Sequence, residues 1–267
     1  MRPAARLFHA LTVKDHTWTP GEGRRSADWY EESTQRFLAR LEGRVDVNGK
    51  TVLDVGCGTG DMAAILARMG AARVVGTDLH VDPGEPAQLA ARYGADVAER
   101  VELVQTEGDM HELGDEEFDL VFSKEAMEHY GDPEGFVPMM VRRVKPGGSL
   151  VIGFGPLWKS FDGGHMGYMT RFPWAHLLFP EDVIMAERRR FRPEEDATHF
   201  GEIMGGLNKM TLARFEAIMA GTGLRPEFVK HNAGDHPAVR AMDKVARVRP
   251  LREYFTNNVY GIWTRPA

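Results

Sequence analysis

Short runs of apolar and β-branched residues recur along the chain at 51–55, 73–77, 101–105, 118–122 and 149–154, each of strand length. Between them, residues 61–69, 86–99 and 133–144 place apolar side chains at three- and four-residue spacing, the period of a helix with one buried face. Apolar runs interleaved with helices predict parallel strands buried on both faces and joined by right-handed crossovers. A helix ahead of the first strand is expected because Trp29, Tyr30, Phe37, Leu38 and Leu41 share one face. The rhythm breaks at Gly155. It resumes with a helix over 211–221 that Thr211 can cap, a strand at 226–230, a helix around 237–248 and a last strand at 258–264. The pattern predicts an α/β fold, a doubly wound and mostly parallel sheet of seven strands, with an insertion after the fifth.

That insertion, residues 155–207, holds Trp158, Phe161, Tyr168, Phe172, Trp174 and Phe179 without a clear period. A segment so long is functional or disordered, and its aromatic content argues against disorder. It is expected to be a lid packed over the carboxyl edge of the sheet. One domain with an insertion is preferred to two domains: residues 1–50 as a helical cap, 51–154 as the core, 155–207 as the lid and 208–267 as closing helices and strands.

Composition narrows the function. The chain has 267 residues, 43% hydrophobic and 27% charged, enough apolar material for a full core. No apolar run reaches the roughly 18 residues of a membrane span. The first residues are basic but no apolar stretch follows, so secretion is not expected. The single cysteine, Cys57, forms no internal disulfide, and the cytoplasm is the expected compartment. A net charge of −6 argues against a nucleic-acid partner, which would call for a basic face. The one basic run, Arg188-Arg189-Arg190-Phe191-Arg192, is followed at once by Glu194-Glu195-Asp196 and reads as a helix face pairing its own charges, with an anion clamp as the alternative.

The strongest chemical signal is Val52-Leu53-Asp54-Val55-Gly56-Cys57-Gly58-Thr59-Gly60-Asp61. A buried strand ends at Val55 and a helix opens near Gly60. Glycines at 56, 58 and 60 allow a sharp turn and a close backbone approach to a ligand, and the helix behind them offers free N–H groups. Dinucleotide enzymes want Gly-x-Gly-x-x-Gly, and Asp61 would then stand where the pyrophosphate rests. The stretch instead resembles motif I of class I S-adenosylmethionine-dependent methyltransferases, an acidic residue two places before Gly-x-Gly-x-Gly. The resemblance implies S-adenosyl-L-methionine as cofactor, with Asp54, Gly56, Cys57, Gly58 and Gly60 around its methionine end. Asp78, ending the second strand about 20 residues on, stands where an acidic residue takes ribose hydroxyls, with Leu79 beside it. In the family, an acidic residue after the third strand and its neighbour flank the adenine, which implies Asp109 and Met110. The resemblance continues through Phe118-Asp119-Leu120-Val121-Phe122-Ser123-Lys124, which adds Lys124 to the pocket, and through Val144-Lys145-Pro146-Gly147-Gly148-Ser149-Leu150. The Asn or Asp-Pro-Pro-aromatic motif of DNA and protein N-methyltransferases is missing after Phe122.

A neutral hydroxyl acceptor benefits from a base. His165, between glycines in the lid, is the first candidate, with Asp162 to orient it. His129, next to Glu128 after the fourth strand, is the second. No ligand spacing among Glu128, Asp162, His165 and His199 supports a metal, so none is expected. Trp158, Tyr168 and Trp174 are candidates for an apolar acceptor pocket. The expected function is methylation of a small molecule, on the oxygen of a secondary metabolite or sugar. Carbon or nitrogen methylation is one alternative, and a non-catalytic sensor of the cofactor is another. A small-molecule acceptor is the expected partner, without nucleic acid or membrane, and a homodimer is left open.

Overall fold

A computed structural model describes residues 2–13, 26–233 and 237–267. Two helices precede the sheet, α1 (Pro3–Ala10) and α2 (Ala27–Arg40), the latter capped by the Ser26 hydroxyl. Strand and helix then alternate: β1 (Thr51–Val55), α3 (Asp61–Arg68), β2 (Arg73–Asp78), α4 (Glu85–Tyr93), α5 (Ala95–Ala98), β3 (Val101–Gln105), β4 (Phe118–Lys124), α6 (Pro133–Arg142) and β5 (Val144–Phe154). The helix expected over 86–99 is broken at Gly94, whose φ of +100° no helix accommodates, and so becomes α4 and α5.

The strands form one seven-stranded sheet in the order β3-β2-β1-β4-β5-β7-β6. Strands β1 to β5 run parallel to one another, and β7 runs antiparallel between β5 and β6. The closing part contains α9 after the insertion, so the insertion's own helices come first: α7 (Ala175–Leu178) and α8 (Glu181–Phe191). Then follow α9 (Leu212–Ala220), β6 (Arg225–His231), α10 (Pro237–Ala246), α11 (Arg252–Phe255) and β7 (Val259–Thr264). Thr211 caps α9 as its sequence predicts, its hydroxyl accepting from the Arg214 N–H at 3.2 Å.

Because side chains alternate along a strand, each strand feeds two cores. Leu53, Val55, Val121 and Ile152 face α6 and α9 together with Met140 and Phe215. Val52, Val74, Phe122 and Val151 face Phe37 and Leu41 at α2, Leu66 of α3 and Leu89 of α4. The same period decides where polar groups go. Asp54 follows Val52 and Lys124 follows Phe122 at two-residue spacing, so both stand on the face that α2 covers.

The insertion has a core of its own. Met166, Met169, Ile184, Met185, Phe200 and Leu207 pack there with Phe8 of α1. The N-terminal segment is further stitched to it by the Val13 N–H on the Met169 carbonyl at 2.8 Å and the Thr170 hydroxyl on the Leu11 carbonyl at 2.8 Å. The two leading helices therefore do different jobs: α1 completes the insertion and α2 covers the sheet. Among the described residues no helix is long and apolar enough to cross a membrane.

The basic run pairs its own charges. Arg188 and Glu195, 3% and 7% exposed, meet at 2.5 Å. Arg192 also reaches Glu195 at 2.9 Å, and Arg190 pairs with Glu187. Cutting one partner from a buried pair strands the other charge, which costs about 3–5 kcal/mol. Glu195→Ala is therefore expected to lower unfolding stability by about that amount in urea titration. A loss below about 1 kcal/mol, the range of an exposed pair, would show that Arg188 finds water instead.

Candidate functional site

At the carboxyl end of β1 the chain turns through Gly56, Gly58 and Gly60, with φ of +76°, +54° and +76°. These are left-handed conformations that other residues adopt only under strain. The Gly56 and Cys57 amides donate to the Thr77 carbonyl at 2.8 and 3.0 Å, which ties the loop to β2. A Cβ at Gly56 would meet the Ala126 Cβ at 2.8 Å, and one at Gly60 would meet Leu103 at 2.8 Å. Around Gly58 nothing lies within 4 Å of a Cβ position, so the crest of the loop is open.

Asp54 lies beneath this loop, 2% exposed, and its Oδ2 is buried without a hydrogen-bond partner. Burial raises its carboxyl to about 7; Lys124 opposes that shift and Asp78 adds to it. The Lys124 Nζ is held by the Ser33 hydroxyl of α2 at 2.9 Å and pairs with Glu125 at 3.5 Å. Asp78 closes the other side. Its Oδ2 accepts the Gly58 N–H at 2.8 Å and its Oδ1 the His80 N–H at 3.3 Å. The Cys57 thiol is pushed up by burial and then by Asp54 and Asp78, so it stays protonated. Leu79 is 57% exposed beside the loop.

Two expectations are corrected here. Asp61 does not stand as an obstacle to a pyrophosphate: it is buried and bonded to Thr59 at 2.5 Å, to the Tyr93 hydroxyl at 2.7 Å and to Arg92 at 2.9 Å. Its charge is spent on pinning α3 to α4, so the preference for a cationic ligand rests on Asp54. Met110 is fully buried in the central core, with φ of +57°, and offers no side-chain surface to a ring. Asp109 remains exposed at the loop after β3, bonded to His111 Nδ1 at 2.6 Å, and that contact, before any other, lowers its carboxyl.

The turn after β4 carries the other half of the site. The Ser123 hydroxyl and the Tyr130 hydroxyl lie 2.8 Å apart below Gly56. Glu128 is 3% exposed with Oε2 unpartnered, and burial raises its carboxyl to about 8. The His129 Nδ1 sits 2.6 Å from the Gly206 carbonyl, and its ring meets that of His165 edge-on at 5.5 Å. The structure thus brings together the two histidines that the sequence singles out separately. Burial, then His129, Arg188 and His176, hold the His165 imidazole down to about 4. Its Nε2 is buried without a partner. Asp162 does not orient that ring through its carboxylate. It meets His165 through its backbone carbonyl, which accepts the His165 N–H at 2.9 Å.

Of the aromatic candidates, Trp158 packs on His176 and Phe200 with ring centroids 4.8 and 4.9 Å away. Trp174 donates to the Lys159 carbonyl at 3.1 Å. Tyr168 lies under Arg188 and Arg192, its hydroxyl buried without a hydrogen-bond partner. Glu128, Asp162, His165 and His199 do not gather among the described residues; Asp109, His111 and Glu112 do, all exposed, with ligand-type atoms within 4.8 Å of one another. Sequence reading missed Ser33, Tyr130 and Asn208. Ser33 and Asn208 reach the site from distant segments, which no local pattern announces; Tyr130 follows the His129 already noted.

Residues 53–152 match the family profile described as a methyltransferase domain. That stretch runs from β1 into β5 and includes the glycine loop, Asp78 and the turn after β4, so these residues form a methyltransferase domain. The ubiquinone biosynthesis O-methyltransferase of Neisseria meningitidis serogroup C (strain 053442) is 40% identical over 113 residues, 42% of this chain and 47% of that protein. The protein of the same name from Aliivibrio fischeri (strain MJ11) is 38% identical over 111 residues, 41% and 46% of the two chains. The chain spans about half the length of the curated relatives it matches. An S-adenosylmethionine-dependent methyltransferase of Mesorhizobium loti superposes with a TM-score of 0.52 at 18% identity, over 90% of this chain and 98% of that one. The [4+2]-cyclase SpnF superposes with a TM-score of 0.56 at 15% identity, over 98% and 92%. These likenesses establish the fold.

S-adenosylmethionine is the cofactor of this domain class, and the residues present fit it. On the strand that leads into the open glycine crest, Asp54 keeps a carboxylate oxygen without a partner, the chemistry that an ammonium-bearing ligand requires.

Glu128 yields a test that needs no ligand. Folded, it keeps its proton to about pH 8; unfolded, it loses it near 4.5. Between those values the folded state binds more protons. Its contribution to stability is therefore full below about pH 4.5 and falls with rising pH by about 1.4 kcal/mol per unit. Glu128→Gln should gain steadily on the wild type in urea titrations from about pH 5 to about pH 8. Parallel curves would mean that no such proton is held there.

Proposed function

We propose that this protein is an S-adenosylmethionine-dependent O-methyltransferase whose acceptor is a hydroxyl on a small molecule such as a secondary metabolite or sugar. The observation that carries the cofactor half is Asp54, a buried carboxylate with an unpartnered oxygen, whose charge Lys124 favours and Asp78 opposes. When bound there, the cofactor supplies an electrophilic methyl carbon on a sulfonium, which departs as a neutral thioether as the acceptor oxygen takes the methyl group. Asp54 would hold the methionyl ammonium, and Asp78, already holding the Gly58 amide, would take the ribose hydroxyls. Gly56, Cys57, Gly58 and Gly60 supply the close backbone wall, Leu79 an apolar flank, and Asp109 a polar edge for the adenine. Oxygen as the acceptor atom is supported by the names of the relatives that match over 113 and 111 residues.

The hydroxyl proton needs somewhere to go. A group held at about 4 is a weak acceptor at neutral pH, which counts against His165 as the base. His129 is better placed: a carbonyl only accepts, so its Nδ1 carries the proton toward Gly206 and a neutral ring keeps its lone pair on Nε2. We therefore assign the proton to His129 Nε2, with His165 as its edge-on neighbour.

The cofactor is tested by thermal shift. At about 100 times its dissociation constant, S-adenosylmethionine or its demethylated product should stabilise the fold by about 2.7 kcal/mol, and NADH should leave it unchanged. A shift with NADH alone would sink the reading.

The base is tested once labelled cofactor has identified an acceptor. His129→Ala should lower kcat by about 10²- to 10⁴-fold and remove the acidic limb of the pH profile, with cofactor affinity unchanged. His165→Ala should cost less than about tenfold, since its imidazole is already a poor proton acceptor. The reverse order of effects would return the role to His165.

A further inference from the structure

The insertion returns to the sheet through Gly205-Gly206-Leu207-Asn208-Lys209, and this segment grips the turn that bears Glu128 and His129. The Asn208 Nδ2 donates to the Met127 carbonyl at 2.8 Å and to the Tyr130 carbonyl at 2.9 Å. The Asn208 backbone N–H donates to the Glu128 carbonyl at 3.0 Å. The Gly206 carbonyl accepts from His129 Nδ1 at 2.6 Å. Met127–His129 is a single 3₁₀ turn, which leaves its carbonyls without intrahelical partners, and here one residue supplies three of the donors they need. The amide has one usable orientation. Flipped, its oxygen would face two carbonyl oxygens, a repulsion that fixes which atom is nitrogen.

The segment is also strained. Gly205, Gly206 and Lys209 all have positive φ, at +80°, +63° and +57°. A Cβ on Gly205 would lie 3.3 Å from His129 Nδ1. The Asn208 Oδ1 is buried with no hydrogen-bond partner. Left-handed backbone and an orphaned buried oxygen are costs that persist where surrounding structure over-determines the geometry. What this geometry delivers is the His129 ring in one tautomer, against the His165 edge. From outside, Arg214 locks the clamp. It donates to the Asn208 carbonyl at 2.8 Å while paired with Glu134 of α6 at 2.6 Å.

We propose that Asn208 is a positioning residue that acts through His129: it holds the 127–130 turn against Gly206, keeps His129 as the Nδ1–H tautomer and leaves Nε2 as the proton-accepting nitrogen. The proposal deepens the assignment of His129 as base and rests on it for its catalytic meaning, but the tautomer itself can be read without any acceptor.

The test is nitrogen NMR of the full-length protein with ¹⁵N-labelled histidine, His129 being assigned by its loss in His129→Ala. At pH 8 the wild type should show His129 Nδ1 protonated and Nε2 bare. In Asn208→Asp, which keeps the shape but loses both donors, and in Asn208→Ala, both ring nitrogens should move toward a common averaged shift. Thermal shift with S-adenosylmethionine should be unchanged, because the glycine loop is not part of the clamp. With an acceptor in hand, kcat should drop by about 10- to 100-fold, as for a displaced catalytic group. A wild-type spectrum with the proton on Nε2 overturns the proposal whether or not the variants fold. So does a folded Asn208 variant that keeps the wild-type tautomer. An intact tautomer effect without any methyl transfer would instead refute the proposed function and leave the clamp standing.

Discussion

A carboxylate at the end of a buried strand has few ways to exist. Asp54 is desolvated by the sheet and by α2, and desolvation opposes its charge, so without a cation at contact its carboxyl titrates near 7. Lys124 is on the same face but is already bonded to Ser33 and Glu125, and it tempers the shift without removing it. The same low dielectric that makes the lone charge costly makes a properly placed ammonium strongly bound. The crest of the glycine loop is open at Gly58, and Asp78 draws it toward β2 through the Gly58 amide. The rest of the cofactor half follows from keeping that opening free: the glycines where a Cβ would collide with Ala126 or Leu103, and the Thr77 carbonyl that takes two loop amides.

Strand periodicity places these groups without further instruction. With Val52 and Phe122 in the core against α2, the residues two places on must point the same way, and they are Asp54 and Lys124. Helix α2 then has to be both apolar and polar. Phe37 seals the core, while Ser33 and Arg40 reach Lys124 and the Tyr260 hydroxyl. A helix anchored at both kinds of contact cannot slide along the sheet without exposing one or breaking the other.

This explains which parts were legible from the sequence. The strands and the glycine loop are local: the apolar runs at 51–55 and 101–105 are the observed β1 and β3, whereas β5, read as 149–154, begins five residues earlier at Val144, ahead of its first apolar run. The break of the fourth helix at Gly94 was hidden because the apolar period continues through it, and only the φ of +100° reveals it. Met110 was read as a ligand contact because its neighbours match a motif, whereas its own side chain follows the turn into the core. Asp61 stands in the sequence where a pyrophosphate would rest, although Arg92 and Tyr93, 31 and 32 residues on, claim it. The histidines could be picked out singly, but their meeting at 5.5 Å depends on the path of a segment with no periodicity. Asn208 had no signal except a Gly-Gly pair before it.

The two halves of the site therefore differ in how they are encoded. The family match ends at residue 152, two residues before the end of β5, and so takes in the cofactor loop but none of the insertion. The acceptor side in the proposed function is where the insertion, with its separate core around Met169 and Ile184, meets the turn after β4. That meeting is made by backbone groups and one amide, which fix position without selecting a ligand. In the proposed function selection falls to the insertion's side chains, of which His165 stands against His129 with its Nε2 buried and without a hydrogen-bond partner. A desolvated polar atom discriminates strongly, because a ligand that fails to satisfy it leaves the cost in place. In the proposed function the choice of acceptor therefore falls to the insertion, outside the stretch that matches the family profile.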